Sequence, residues 1–191
     1  MRVVATVGLV VLIAALAGLT YVRVTGLSAL PTPGAWEAGL ARRARALAVP
    51  REIRGRGNPV PASADEVAKG LAHFADHCAS CHANDGSGET TLGRGLYPKA
   101  PDMRLAATQG LTDGELFWII EEGIRFTGMP GWSTRTPEGA LDSWRLVRFI
   151  RHLPRLTDEE KAAMTALNPK SAEQLRQELE EERFLRGEST P

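Results

Sequence analysis

The chain has two cysteines in 191 residues, three positions apart, with a histidine directly after the second: Cys78-Ala79-Ser80-Cys81-His82. This C-x-x-C-H pattern is the attachment signature of a c-type haem. The spacing has a physical reason. Two cysteines one helical turn apart can form thioethers with the two vinyl groups of one porphyrin, and His82 then lies where its imidazole reaches the iron. A chain built this way folds around its cofactor. Other uses of the pattern fit less well. A thioredoxin-like C-x-x-C needs a strand-and-helix context. A zinc site using His77, Cys78, Cys81 and His82 would draw all its ligands from six consecutive residues, whereas structural zinc joins ligand pairs well apart in sequence. Two cysteines also exclude a four-cysteine zinc or iron–sulfur site and a disulfide scaffold.

Lys+Arg and Asp+Glu number 23 each. A general nucleic-acid binder would carry a basic excess, so nucleic acid is not an expected partner. At 43% hydrophobic and 24% charged, the composition is that of a globular chain. The charge is nevertheless uneven. Residues 34–56 hold six arginines against two glutamates, and residues 157–191 hold nine acids against five bases. Such blocks form solvated or docking faces.

Val3 to Val22 is an apolar run of 20 residues without a charge. As a helix it spans roughly 30 Å, the hydrocarbon thickness of a bilayer. A cleaved signal peptide is the alternative, but its apolar stretch is normally about 7–15 residues and ends at a small-x-small site. The expected division is therefore a transmembrane anchor (or signal peptide) over 1–23 and a linker with a short basic helix over 24–62. A haem domain over 63–154 and an acidic helical tail over 155–191 complete it. Arginines flank the apolar run on both sides, so charge does not orient it. Haem attachment to C-x-x-C-H takes place in an export compartment, which puts the haem domain on the periplasmic side.

The body reads as all-α, because no stretch alternates at period two. Residues 34–49 suit a short amphipathic helix with Trp36, Leu40 and Leu47 near one face and arginines on the other. Ser63 with Glu66 and Thr112 with Glu115 are capping-box pairs that start helices. Val67, Gly70, Leu71, Phe74 and Cys78 follow the first at helical spacing. A third helix runs from about Pro137 to His152 and stops before Pro154. Thr157 with Glu160 and Ser171 with Gln174 predict two more helices, with Leu175, Leu179 and Phe184 available to pack back onto the body.

At this point residues 63–154 resemble a class I cytochrome c. The resemblance rests on C-x-x-C-H, on Gly70 and Phe74 four apart upstream of it, and on Gly128-Met129-Pro130-Gly131-Trp132 between the last two helices. It implies a class I cytochrome c fold around one covalent haem, with one transmembrane helix before it and a short helical tail after it. It implies that Gly70 marks a close helix crossing, with Phe149 or Trp144 as the partner of Phe74. Met129 is then the distal iron ligand opposite His82, while Met103 packs on the haem face. Pro101 resembles the loop proline whose carbonyl receives the proximal imidazole N–H, with Pro98 as a substitute. His73, His77 and His152 read as surface side chains. Arg94, Arg104, Arg125, Trp118 and Trp132 are candidates to meet the haem propionates.

A haem held by His82 and Met129 has no open coordination position, which suits a one-electron carrier rather than a catalyst. The expectation is a membrane-anchored monohaem cytochrome, either a carrier or the cytochrome subunit of a respiratory-type membrane complex. Its partners are then the membrane and redox proteins. The alternative is a haem enzyme or gas sensor, peroxidase-like, in which Met129 leaves the iron easily.

Overall fold

A computed structural model of the chain describes residues 2–186. Among these residues the fold is all-helical, with no strand. Helix α1 (Arg2–Thr25) is long and apolar enough to cross a membrane, and none of its residues is buried. Two shorter helices follow, α2 (Ala35–Ala48) and α3 (Arg51–Arg54). The body then holds α4 (Ala64–His77), α5 (Ala79–His82), α6 (Thr91–Gly95), α7 (Ala106–Gln109), α8 (Asp113–Glu122) and α9 (Pro137–His152). A short 3-10 turn (Leu153–Arg155) leads to α10 (Asp158–Leu167) and α11 (Ala172–Leu185).

The main packing is α4 across α9. Gly70 lies at the crossing: a Cβ there would stand 2.3 Å from the Arg145 carbonyl oxygen and 3.0 Å from the Phe149 Cβ. The helices meet backbone to side chain because residue 70 has none. One turn on, the rings of Phe74 and Phe149 pack at 5.1 Å between centroids, both almost fully buried. Phe149 is thus the partner of Phe74, while Trp144 stacks instead on Phe117 at 4.2 Å. Ala75, Leu146, Val147, Ile150 and Leu153 complete the core around the crossing.

The helix starts follow the sequence with one informative exception. Capping boxes form fully at Thr112/Glu115, Thr157/Glu160 and Ser171/Gln174. At Ser63 only half forms: the Ser63 hydroxyl accepts from the Glu66 backbone N–H. The Glu66 carboxylate turns instead to Arg145 of α9, whose Nε lies 2.6 Å away, and to Lys69. A charge-assisted bond between helices outcompetes the local cap.

Two flanking segments are part of the packed body. Val49 and Val60 are buried. Asn58 donates to the Trp144 carbonyl at 2.9 Å, and Arg148 donates to the Val60 carbonyl at 2.8 Å. On the other side α10 returns across α4 and buries Met164 completely. His152 is half-buried rather than a free surface side chain, because its Nε2 meets the Glu160 carboxylate at 2.9 Å and ties α9 to α10. Leu175, Leu179 and Phe184 do not pack back. They are exposed on α11, none of whose described side chains is buried.

Gly70→Ala is expected to destabilise the protein by about 1–3 kcal/mol in denaturant unfolding. Its gain in helix propensity, roughly 1 kcal/mol, is outweighed because the atom in the way is backbone. The Arg145 hydrogen bond holds the Glu66 carboxyl below the usual carboxylate range, and Arg104 does the same for Asp102. A carboxyl depressed in the folded state stabilises the fold above its unfolded value and loses that contribution as pH falls. Unfolding midpoints are therefore expected to stay level near neutrality and to drop below about pH 4. Glu66→Gln should make the drop shallower.

Candidate functional site

The Cys78–His82 motif lies at the end of α4, where the helix breaks at Cys78 and re-forms as α5. The break follows directly from the packed turn carrying Phe74, so the α4/α9 crossing fixes where the motif points. Cys78 and Cys81 are half-buried and not joined to each other. Burial, with Cys81 alongside, pushes the Cys78 thiol up to about 12. A redox or nucleophilic cysteine needs the opposite, a depressed thiol. The described residues also contain no group of three or more His, Cys, Asp or Glu placed to share a metal ion. His77, a candidate in the zinc reading, instead stacks on Trp132 and meets Asp76.

His82 faces the core beside Phe74, with ring centroids 6.4 Å apart. Burial pushes its imidazole below the usual histidine value, and the Pro101 backbone acts in the opposite sense. Its Nδ1 is buried without a hydrogen bond of normal geometry. A buried ring nitrogen needs a partner, and the Pro101 backbone is the group beside it. Pro101 and its substitute Pro98 are both exposed, and it is the Pro101 backbone that lies against the imidazole.

The segment between the motif and α8 wraps the site through its backbone. The Gly88 N–H donates to the His82 carbonyl at 2.9 Å, and the Met103 N–H to the Gly86 carbonyl at 2.8 Å. Met103 is buried in the core cluster with Phe74 and Ala79. Gln109 holds this segment to α9 by donating to the carbonyls of Met103 and Ile150 at 2.7 and 2.9 Å. Nothing in the sequence pattern marks Gln109, since its partners are backbone atoms distant along the chain.

Met129 sits half-buried on a loop folded against the end of α8. Gly123 ends that helix at φ +68°, where a side chain would be strained and would meet the Met129–Gly131 backbone at 2.5–2.7 Å. The loop then closes on itself and on α8. The Ile124 N–H donates to the Met129 carbonyl at 3.1 Å, the Met129 N–H to Thr127 Oγ1 at 3.1 Å, and the Trp132 N–H to the Ile120 carbonyl at 2.9 Å. Trp132 stacks flat on His77, with 5.5 Å between centroids and 5° between planes. Because His77 precedes Cys78, this stack fastens the Met129 loop beside the cysteine motif. No sequence signal predicted it.

The candidate propionate partners fare differently. Arg104 is committed to Asp85 and Asp102, each at 2.8 Å, and Arg94 to Glu89 at 3.1 Å. Arg125 is exposed, Trp118 is half-buried and Trp132 carries the His77 stack.

The donor set fits a haem c. Two adjacent thiols are available for thioethers, and the half-buried His82 imidazole and the Met129 thioether sulfur are available for iron. The surroundings, Phe74, Ala79 and Met103, are apolar. Comparison with known families agrees: residues 65–150 match the family described as cytochrome C oxidase, cbb3-type, subunit III. The match spans the Gly70 crossing, the cysteine motif and the Met129 loop, and it indicates a c-type cytochrome domain over residues 65–150.

Proposed function

We propose that the chain is a membrane-anchored monohaem cytochrome that passes single electrons, working as a carrier or as the cytochrome subunit of a respiratory-type membrane complex. Cys78 and Cys81 would hold one haem c through thioethers, and His82 and Met129 would supply the nitrogen and sulfur for its iron. When bound, the haem supplies a one-electron ferric/ferrous couple. The observation that carries this reading is the Met129 loop fastened next to the cysteine motif. The loop is locked by Gly123 and Thr127, and the Trp132–His77 stack sets it beside Cys78, while His82 Nδ1 is buried near the Pro101 backbone.

The chain's own residues set the behaviour. Burial shifts the His82 imidazole below the usual histidine value, which favours the form whose lone pair can bind a metal. Pro101 accepts the His82 Nδ1–H in the loaded protein and fixes the ring's tautomer. The locked loop fixes the Met129 backbone, which would keep its sulfur available to iron and disfavour the open position that a peroxidase-like enzyme or gas sensor needs. Iron held by a histidine and a methionine would have a raised potential. Little moves between oxidation states, as a carrier requires.

Anchoring by α1 would confine the domain near membrane partners and raise its effective concentration there. The matched family's description, a subunit of an oxidase, supports a membrane redox complex as the partner. The haem domain would lie on the periplasmic side, where C-x-x-C-H cytochromes are assembled. The arginine-rich segment 34–56 and the acidic segment after 157 would steer docking.

Ferric protein is expected to be low-spin, with the near-infrared charge-transfer absorption of a methionine–iron bond. Met129→His should abolish that band and lower the midpoint potential in a redox titration, within the roughly 0.8 V range that axial ligands command. A high-spin, five-coordinate ferric spectrum of the unmodified protein would contradict the carrier reading and favour the enzyme or sensor. Electron transfer to a membrane partner should slow as salt is raised, because exposed charges are screened beyond about 10 Å at 0.1 M.

A further inference from the structure

Helix α2 faces the wrong way for a helix belonging wholly to a water-soluble body. Its polar side turns inward. Glu37 accepts a hydrogen bond from the Tyr97 hydroxyl at 2.7 Å, Arg45 is half-buried, and the Ala46 carbonyl accepts from Arg54. Val49, 3% exposed, pins the helix end. Its apolar side turns outward: Trp36 is 68% exposed, Leu40 61% and Leu47 87%. These three positions share one helical face. Arg43 lies within this stripe, between Leu40 and Leu47, and Arg42 lies to its side; both line a shallow depression with Trp36, Gly39, Leu40 and Ala46.

We propose that α2 lies flat on the membrane surface, with Trp36, Leu40 and Leu47 in the bilayer interface and Arg42 and Arg43 on anionic phospholipid headgroups. The inference rests on α1 being a membrane anchor. Two observations select lipid as the occupant. First, only residues 26–34 separate α1 from α2, and nine residues reach at most about 30 Å. The helix therefore stays close to the bilayer that α1 crosses. Second, the charge is complementary. The one acid of α2, Glu37, is engaged by Tyr97, and the exposed guanidinium groups of Arg42 and Arg43 remain beside the apolar face. Tryptophan and arginine next to leucine are what an interfacial helix needs. Helix α11 makes the contrast. It also exposes Leu175, Leu179 and Phe184, but Glu178, Glu180, Glu181 and Glu182 surround them, and anionic headgroups would repel these. The consequence for α2 is orientational. A body tied to a surface-lying helix through Tyr97 and Arg54 cannot swing freely on its tether, so the haem domain is held at a set attitude to membrane partners.

The test uses the full-length holoprotein in vesicles of phosphatidylcholine with or without phosphatidylglycerol. Cys78 and Cys81 are consumed as thioethers there, so single nitroxide labels can be placed through Leu12→Cys, Leu40→Cys, Ala41→Cys and Leu47→Cys. Collisions with oxygen report lipid, and collisions with a water-soluble nickel chelate report water. We expect oxygen to dominate at positions 12, 40 and 47 and nickel at 41. In anionic vesicles Arg42→Gln or Arg43→Gln should each lower the docked-to-undocked ratio about fivefold. Water-exposed labels at 40 and 47, with 12 in lipid, would overturn the proposal and leave the anchor standing. Protection of 40 and 47 from both reagents would overturn it in favour of a protein cover, a second copy or another subunit. A water-exposed label at 12 would end the anchor reading and this inference with it.

Discussion

The crossing of α4 on α9 at Gly70 sets everything downstream. With 2.3 Å between an added Cβ and the Arg145 carbonyl oxygen, the helices are as close as backbone allows. That closeness puts Phe74 on Phe149 and lets Arg145 reach Glu66. One turn later the helix breaks, and Cys78, Cys81 and His82 leave it in a direction the crossing has already fixed. An aromatic pair contributes about 0.5–1.5 kcal/mol beyond its area. Its larger value here is geometric, because it places the cysteine-motif turn against a rigid wall.

The second half of the site is brought up by a different device. Gly123 turns the chain sharply off α8, and the loop through Met129 is tied by its own backbone. The Trp132–His77 stack then joins loop to motif, so the two candidate ligands are positioned by separate elements that meet at one aromatic contact. The pieces outside the site serve the same end. Asn58 and Arg148 strap the segment before α4 onto α9, and α10 closes over α4 with Met164.

Much of this was legible in the sequence, and the limits are physical. Capping boxes are local, so Thr112, Thr157 and Ser171 read correctly. Ser63 read only in part, because the partner that diverts Glu66 is Arg145, far along the chain. The cysteine motif is contiguous and was visible at once. Met129 was visible through the resemblance to a family. The strap over residues 49–60 was hidden, since arginine and asparagine donating to distant carbonyls leave no periodic trace. An amphipathic pattern shows that a helix has an apolar face but not what covers it. For that reason Met164 went unread as core, and Leu175, Leu179 and Phe184 were expected to pack where they stay exposed.

The central claim is that a single porphyrin is bonded to Cys78 and Cys81. Its most direct test is the intact mass of the chain, made in cells able to attach haem to C-x-x-C-H motifs. The account predicts one haem adduct that survives acid–organic extraction and is absent from a variant with both cysteines changed to serine. A chain of unmodified mass, with any haem extractable, would contradict it.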